Sequence, residues 1–293
     1  VKYMFYLDRI HTSAFGARVN AESAIEGIRK CKGLKLADYL KPMDQDTVMG
    51  KNRRKGCPVL FTVGDSTVKN NDNDNDENGM WGWGSVIADE FDLNRITVEN
   101  CAKAGRSART YLDEGRWDKV YGALQPGDFV LIQFGHNDAG AVNTGKARAE
   151  LPGAGNESKV FLMESTGKYQ VVYTFGWYLR KFIMDVKEKG AIPIVLSHTP
   201  RNVWDNGQIQ RNTDSFGKWT REAAERTGAY FIDLNKLTAD KLQKKGWEQG
   251  LRAVSEYFNK DHTHTSLKGA HLNAESIAEG LKATDCPLKN YLK

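Results

Sequence analysis

The sequence predicts an α/β fold with a central parallel sheet and helices on both faces. From residue 57 onward, short runs of β-branched and aromatic residues alternate with segments of helical periodicity. Strands and helices that alternate in this way build a parallel sheet. Polar residues follow the predicted strands, and ligands of open α/β sheets bind beyond the carboxyl ends of strands. The fold class therefore also predicts where a functional site lies.

The predicted elements follow one another along residues 57–293. The first is a buried strand between Pro58 and Gly64. The further predicted strands are residues 95–99, 129–134, 192–196 and 229–233. The predicted helices are residues 85–91, 117–124, 171–189 and 214–227. Residues 139–169 are rich in Gly and polar side chains, so they are predicted to be an insertion outside the core.

The two ends of the chain carry an internal repeat. Residues 8–28 align without a gap with residues 261–281, and 12 of the 21 positions are identical. Each copy predicts a helix with one buried apolar stripe, and Ser13 and Ser266 are the predicted N-caps. We therefore expect residues 1–41 to be a remnant of the C-terminal segment of a preceding homologous domain. Residues 42–56 are the expected linker, and residues 57–293 the complete domain.

The composition limits the classes of partner. The net charge of +5 is mild and no long Lys/Arg block is present, which argues against nucleic acid but suits a polyanionic substrate. No apolar run reaches the roughly 18 residues of a membrane span. The four cysteines are widely spaced, so no structural metal is predicted, and one or two disulfides stay open. These cysteines are Cys31, Cys57, Cys101 and Cys286.

An acidic loop at residues 72–77 resembles the start of a calcium-binding loop. Glu77, however, stands where an EF-hand needs Gly, and Trp83 stands where it needs Glu. We therefore expect a solvated acidic loop and no metal site.

Polar residues at successive strand ends supply the parts of a serine hydrolase. Ser66 follows the first strand, and a hydroxyl just beyond a strand end is a candidate nucleophile. Asp261 and His264 are three residues apart on one turn, which allows the carboxylate to orient the imidazole. The backbone N–H of Gly105 and the amide of Asn137 are candidate donors to an oxyanion. Each of these residues alone is also typical of an ordinary turn or helix cap, and only the complete set indicates a catalytic site.

This set, in this order, resembles the SGNH (GDSL) hydrolases. The resemblance covers essentially all of residues 57–293 and implies a flavodoxin-like three-layer α/β/α fold. It makes Ser66 the nucleophile, His264 the general base and acid, and Asp261 its orienting carboxylate. The implied oxyanion hole consists of the N–H groups of Ser66 and Gly105 with the Asn137 side chain. A closer resemblance to rhamnogalacturonan acetylesterases rests on residues 65–68, 80–84, 105–110, 114–117, 174–180 and 261–265.

Neighbouring side chains are candidate contacts to a substrate. For Trp81 and Trp83, core packing is the alternative to a sugar platform. For His198 the alternative is an ordinary surface histidine. The full candidate set is Asp65, Trp81, Trp83, Arg106, His136 and His198.

The resemblance implies a carbohydrate acetylesterase that deacetylates a plant cell-wall polysaccharide, acetylated rhamnogalacturonan first. Alternatives are acetylated xylan, another glycan or short-chain esters, and, outside the enzymes, a carbohydrate-binding protein with a silent site. No metal or organic cofactor is implied. The substrate class implies an extracellular or periplasmic location. We expect a monomer, with a dimer swapped through residues 1–41 as the alternative, and we interpret the Asp8/His11 pair as a relic without a serine.

Overall fold

The computed structural model describes residues 14–31, 33–36, 49–69 and 79–293, and the chain divides into two compact units, residues 1–48 and 49–293. In the first unit, helix α1 spans Ala14–Lys30. Its predicted apolar stripe is not buried, since Ala17, Ala21 and Ala24 are exposed. The described part of this unit holds no sheet on which such a stripe packs. Ser13, the Asp8/His11 pair and the acidic loop lie outside the described residues.

Nine strands form the described sheets of the second unit. The strands are β1 (Val59–Gly64), β2 (Thr97–Asn100), β3 (Phe129–Gln133), β4 (Ser158–Leu162), β5 (Tyr169–Tyr173), β6 (Ile192–Leu196), β7 (Trp204–Asp205), β8 (Gln208–Ile209) and β9 (Tyr230–Ile232). Five of them form a parallel sheet in the order β2-β1-β3-β6-β9. The pairs β4-β5 and β7-β8 are antiparallel hairpins. The predicted parallel sheet is confirmed.

Helices cover both faces of this sheet. They are α2 (Ala108–Asp113), α3 (Arg116–Ala123), α4 (Phe175–Glu188), α5 (Phe216–Thr227), α6 (Leu234–Gln249), α7 (Leu251–Ser255) and α8 (Leu267–Lys282). Short 3₁₀ turns span Trp83–Ser85, Ile87–Glu90 and Pro287–Tyr291. Successive strand residues point to opposite faces, so Leu60 and Phe61 belong to different apolar clusters. The three-layer α/β/α arrangement predicted from the sequence is confirmed.

The second copy of the repeat, α8, is buried on the sheet. The Ser266 hydroxyl accepts a hydrogen bond from the backbone N–H of Gly269 and caps the helix, as predicted. The stripe positions Ala270, Ala274, Ile277 and Leu281 are fully buried, whereas Leu267 in the first turn is 44% exposed. The same sequence pattern is therefore buried in one copy and exposed in the other, because burial depends on what lies opposite the stripe.

Three local predictions need correction. Residues 171–172 belong to strand β5, and helix α4 begins only at Phe175 because Thr174 caps it by accepting from the N–H of Trp177. Residues 85–91 form 3₁₀ turns and no α-helix. The insertion contributes to the core after all, since Ala149 and Ala154 are buried.

The first residues of the second unit pack against the amino ends of the strands. Gly50 N–H donates to the Glu99 carboxylate, and Arg53 forms an ion pair of 2.5 Å with buried Asp128. The thiols of all four cysteines are free, so none of them forms a disulfide in this structure. In the ranges described above, no helix is long and apolar enough to span a membrane. Within the same ranges, no group of three or more His, Cys, Asp or Glu side chains is arranged to hold a metal ion.

Candidate active site

A tight turn after β1 presents Ser66 at the carboxyl edge of the sheet. The Asp65 carboxylate accepts hydrogen bonds from the backbone N–H and the hydroxyl of Thr67, at 2.8 and 2.7 Å. The backbone N–H of Val68 closes the turn on the Asp65 carbonyl. Gly64 is required before it, because a Cβ there would lie 2.4 Å from the Gln133 carbonyl oxygen. The turn thus fixes the Ser66 hydroxyl beyond the end of a central strand.

Ser66, His264 and Asp261 form a continuous hydrogen-bonded chain. Nε2 of His264 lies 2.9 Å from Oγ of Ser66, and Nδ1 lies 2.7 Å from Oδ2 of Asp261. A carboxylate only accepts, so Nδ1 carries the proton and Nε2 presents its lone pair to the serine hydroxyl. This is the tautomer in which an imidazole acts as a base toward serine.

The Asp261 carboxylate is held in its charged form. Partial burial opposes the charge, but hydrogen bonds from the backbone and ring of His264 and from the backbone of Thr263 outweigh it and lower the pKa of Asp261 to about 2. The two backbone N–H groups each lie 2.7 Å from Oδ1. Asp261 therefore remains ionised at every pH at which an imidazole changes its charge.

Backbone pairing fixes the position of the His264 loop. Trp81 N–H donates to the Thr265 carbonyl at 2.9 Å, and the Thr265 hydroxyl donates to the Trp81 carbonyl at 2.7 Å. Asn259 N–H donates to the carbonyl of His264 itself. The half-buried Trp81 side chain packs against an apolar cluster. The structure thus gives Trp81 a role in positioning the histidine loop.

Gly105 and Asn137 lie side by side across the strand ends. The Asn137 amide donates from Nδ2 to the Arg106 carbonyl at 3.2 Å, and its Oδ1 accepts from Nη1 of Arg148 at 3.0 Å. The amide is therefore oriented from both of its ends, and the second N–H on Nδ2 is available to a substrate oxygen. Gly105 adopts φ 73°, a left-handed conformation that favours glycine. A Cβ at this position would also lie 3.3 Å from the Arg148 guanidinium.

Asp138 ties the two donor-bearing loops together. Its Oδ1 accepts from the N–H of Ala108 at 2.8 Å, and its Oδ2 accepts from the N–H of Gly135 at 2.9 Å. Burial and the nearby negative charge of Asp65 raise the pKa of Asp138 to about 7, although backbone hydrogen bonds oppose this. Burial and the charge of Asp138 likewise raise the pKa of Glu150, whose Oε1 accepts from the N–H of Arg109.

Three of the predicted substrate contacts are buried away from solvent. Trp83 is fully buried, and its indole N–H donates to Gln133 at 2.7 Å, so it is a core residue and no sugar platform. Asp65 is fully buried in the Ser66 turn. His198 is 3% exposed, which also overturns its alternative reading as a surface histidine. Local sequence does not reveal these outcomes, because burial is decided by distant segments.

Besides Trp81, two candidates are half-buried beside Gly105 and Asn137. Arg106 is half-buried, and its Nε lies 3.0 Å from the Glu114 carboxylate. His136 is half-buried, its Nε2 lies 3.0 Å from the Thr199 hydroxyl, and its ring meets that of His198 edge to face. Burial first, and then the charges of His198 and Arg201, lower the pKa of His136 well below its ordinary value. His136 is therefore neutral near pH 7.

Arg148 is a residue of the site that the sequence did not predict. It lies in the insertion, outside every motif, and no local pattern points to it. Its contacts with Asn137 and Gly105 arise only when the insertion folds back over the strand ends.

Comparisons with known proteins give a consistent result. The model of the GDSL-like lipase/acylhydrolase family matches residues 62–275. The chain is 33% identical to the rhamnogalacturonan acetylesterase of Emericella nidulans, over 80% of this chain and 89% of that protein. It is 31% identical to rhamnogalacturonan acetylesterase RhgT of Bacillus subtilis, over 80% of this chain and 93% of that one.

A solved structure supports the fold. The crystal structure of the Bacillus subtilis protein YxiM superimposes with a TM-score of 0.61 at 23% identity. The match covers 78% of this chain and 56% of that one. At this identity the similarity bears on the fold alone, and it agrees with the three-layer arrangement.

Proposed function

The protein belongs to the GDSL-like lipase/acylhydrolase family, and we propose that it is a serine esterase that deacetylates the rhamnogalacturonan of pectin. Its similarity to acetylesterases over four fifths of its length makes it a carbohydrate acetylesterase. The choice of polymer rests on the named substrate of these relatives and on the mild positive charge of the chain, which suits an acidic polysaccharide.

We infer that acylation begins when Oγ of Ser66 attacks the acetyl carbonyl carbon while Nε2 of His264 takes the hydroxyl proton. The carbonyl oxygen becomes an oxyanion, which the N–H groups of Ser66 and Gly105 and the Asn137 amide stabilise. The imidazolium then protonates the sugar oxygen, the ester C–O bond breaks, and the sugar alcohol departs. Ser66 is left as an acetyl ester.

Deacylation repeats these steps with water. His264 removes a proton from a water molecule, whose oxygen attacks the acetyl-enzyme carbonyl. The same donors stabilise the second oxyanion, and collapse releases acetate as His264 returns the proton to Ser66. Asp261 stays ionised throughout and stabilises the imidazolium. Side chains and backbone of this chain supply every group that these steps use.

The observation that best supports this proposal is the hydrogen-bonded chain from Asp261 through His264 to Ser66, beside the doubly held Asn137 amide. A carbohydrate-binding protein with a silent site is the non-enzymatic alternative. It is disfavoured because a site without catalytic use has no need to retain this geometry. Acetylated xylan, another glycan and short-chain esters are the alternative substrates.

The test is acetate release from acetylated rhamnogalacturonan, acetylated xylan and a small activated acetate ester, measured in parallel. A kcat/KM on the pectic polymer well above that on xylan supports the proposal. Equal or greater activity on xylan contradicts the choice of polymer but keeps the esterase. Because pectin lies outside the cell that degrades it, we also propose an extracellular or periplasmic location.

A further inference from the structure

Two arginines contact the Asn137 amide, and a third contacts the residue before it. The Arg106 carbonyl accepts from Asn137 Nδ2, and the Arg148 guanidinium donates to Asn137 Oδ1. On the side of strand β6, Nη2 of Arg201 lies 3.4 Å from the carbonyl oxygen of His136, the preceding residue. These three residues are therefore neighbours of the proposed oxyanion hole.

The three arginines differ in their charge balance. Arg106 forms an ion pair with Glu114, which also pairs with Arg116 at 2.5 Å. Among the residues that the structure describes, no carboxylate lies within ion-pair distance of Arg148 or Arg201. The buried acid next to Asn137, Asp138, has a raised pKa of about 7 and carries little charge below neutral pH. Within the described ranges, the two guanidinium groups therefore bring positive charge to the site that no ion pair balances.

The electrostatics around Arg201 agree with this. After burial, the positive charge of Arg201 is the largest cause that lowers the pKa of His198, to about 4. The charge of Asp233 opposes this effect, so Arg201 is the stronger of the two charges that act on His198.

Both guanidinium groups are open to a ligand. Arg148 and Arg201 are half-buried, so solvent reaches them. A guanidinium carries five N–H donors in a planar fork, and Arg148 uses one of them on Asn137. The remaining donors match a carboxylate, which a guanidinium binds through two parallel hydrogen bonds.

Building on the proposed function, we propose that Arg148 and Arg201 bind the carboxylates of uronic acid units at and next to the acetylated position. The enzyme then selects acetylated polyuronates whose carboxyl groups are free, and methyl esterification of those groups weakens binding because it removes the charge. The polymer class is thus recognised at the oxyanion hole itself.

The test compares wild type with three single variants on two substrates. Acetate release is measured from acetylated rhamnogalacturonan with free carboxyl groups and from the same polymer after methyl esterification. The enzymes are wild type, Arg148→Gln, Arg201→Gln and the control Arg95→Gln, whose residue precedes β2 at the opposite edge of the sheet. The readout is the ratio of kcat/KM on the acidic polymer to kcat/KM on the neutral one.

We expect wild type and Arg95→Gln to prefer the acidic polymer by about tenfold to hundredfold, the range of a charge-assisted hydrogen bond pair. In Arg148→Gln and Arg201→Gln this ratio should fall toward one. Loss of the Arg148 contact to Asn137 lowers the rate on both polymers equally and cancels in the ratio, as does any misfolded fraction. Arg148→Lys, which keeps the charge, should retain part of the preference.

The outcomes separate the two proposals. A wild-type ratio near one, or an unchanged ratio in both Gln variants, overturns the carboxylate role of the arginines while the pectic esterase stands. Acetate release from xylan together with none from either pectic polymer overturns the proposed polymer and this inference with it.

Discussion

The imidazole of His264 lies 2.9 Å from the hydroxyl of Ser66, although 198 positions separate the two residues in the sequence. The serine follows the strand β1, and the histidine precedes the last long helix, α8. The turn after β1 presents the serine at the carboxyl edge of the sheet, and the pairing of Trp81 with Thr265 holds the histidine loop beside it. The two residues therefore meet as a direct consequence of the fold.

Replacing Ser66 by Ala removes the proposed nucleophile. We expect kcat on a small aryl acetate to fall by at least about 10⁴-fold, since the remaining groups give only residual catalysis. Ser158→Ala, at an exposed position of β4, serves as the control and should keep wild-type kinetics. Circular dichroism checks that both variants fold. Activity retained by the Ser66 variant would contradict the proposed mechanism.

Asp261→Asn keeps the size of the side chain but removes its charge. We expect kcat/KM to fall by about 10²- to 10⁴-fold across pH 5–9, because the imidazole loses the partner that fixes its tautomer. Since the pKa of Asp261 is about 2, the wild-type carboxylate does not titrate in this range, so the loss should be similar at every pH. Exposed Asp214→Asn is the control. A loss confined to the alkaline half of the profile would contradict this role.

The lowered pKa of Asp261 also predicts how the stability of the protein changes in acid. The folded pKa of Asp261 lies below its ordinary value of 3.8, so its contribution to stability is present above pH 4 and is lost as the pH falls toward 2. The Asn variant lacks this contribution. Its free energy of unfolding should therefore differ from that of wild type less at pH 2 than at pH 6, as denaturant titration can measure.

Asn137→Ala should lower kcat on the small ester by about 10²- to 10³-fold with little change in KM, because an oxyanion donor acts mainly in the transition state. Asn137→Asp keeps the shape but replaces the donor with a negative charge, and it should be at least as slow. Exposed Asn94→Ala is the control. An increase in KM at constant kcat would indicate that Asn137 binds substrate only.

Asp138→Asn should destabilise the protein by about 1–3 kcal/mol, because one of the two backbone N–H groups that it accepts from then faces an amide N–H₂. The kcat on the small ester should fall too, since Asp138 joins the loops of Gly105 and Asn137. The raised pKa of Asp138 also sets the direction in which stability changes with pH. With a folded pKa of about 7, wild type loses stability as the pH rises from 4 to 7, so its advantage over the variant should be larger at pH 5 than at pH 8.

Removal of residues 1–41 tests the repeat. Every residue of the proposed site lies in the second unit, so kcat on the small ester should be unchanged. We expect a monomeric mass by light scattering both before and after removal. A dimer that dissociates on removal would instead support exchange of the repeated helix between two chains.

The fold was largely predictable because its signals are local. Strand β6 has the predicted bounds, and the turn after β1 is visible in the residues Gly64 to Thr67. The β5–α4 junction was misplaced because residues 171–172 fit a helical period as well as a strand, and only the Thr174 cap decides between them.

The site was less completely predictable. The residues that the motifs named around Ser66 do come together, since each follows a strand end or begins a helix. The burial and the contacts of the neighbouring side chains were not predictable. Trp83 and His198 stand next to the motifs in sequence but are buried, while Arg148 stands outside them and contacts Asn137. Such contacts depend on how distant segments pack, which one sequence does not reveal.

The origin of Arg148 bears on how such enzymes diverge. The groups proposed for bond cleavage stand on strand ends and on the turn before α8, where any shift disturbs the core. Arg148 stands on an insertion between β3 and α4, and connecting segments of this kind vary more in sequence than the strands and helices that they join. A change of polymer preference that replaces Arg148 must therefore also preserve the orientation of the Asn137 amide, so specificity and catalysis evolve together at this residue.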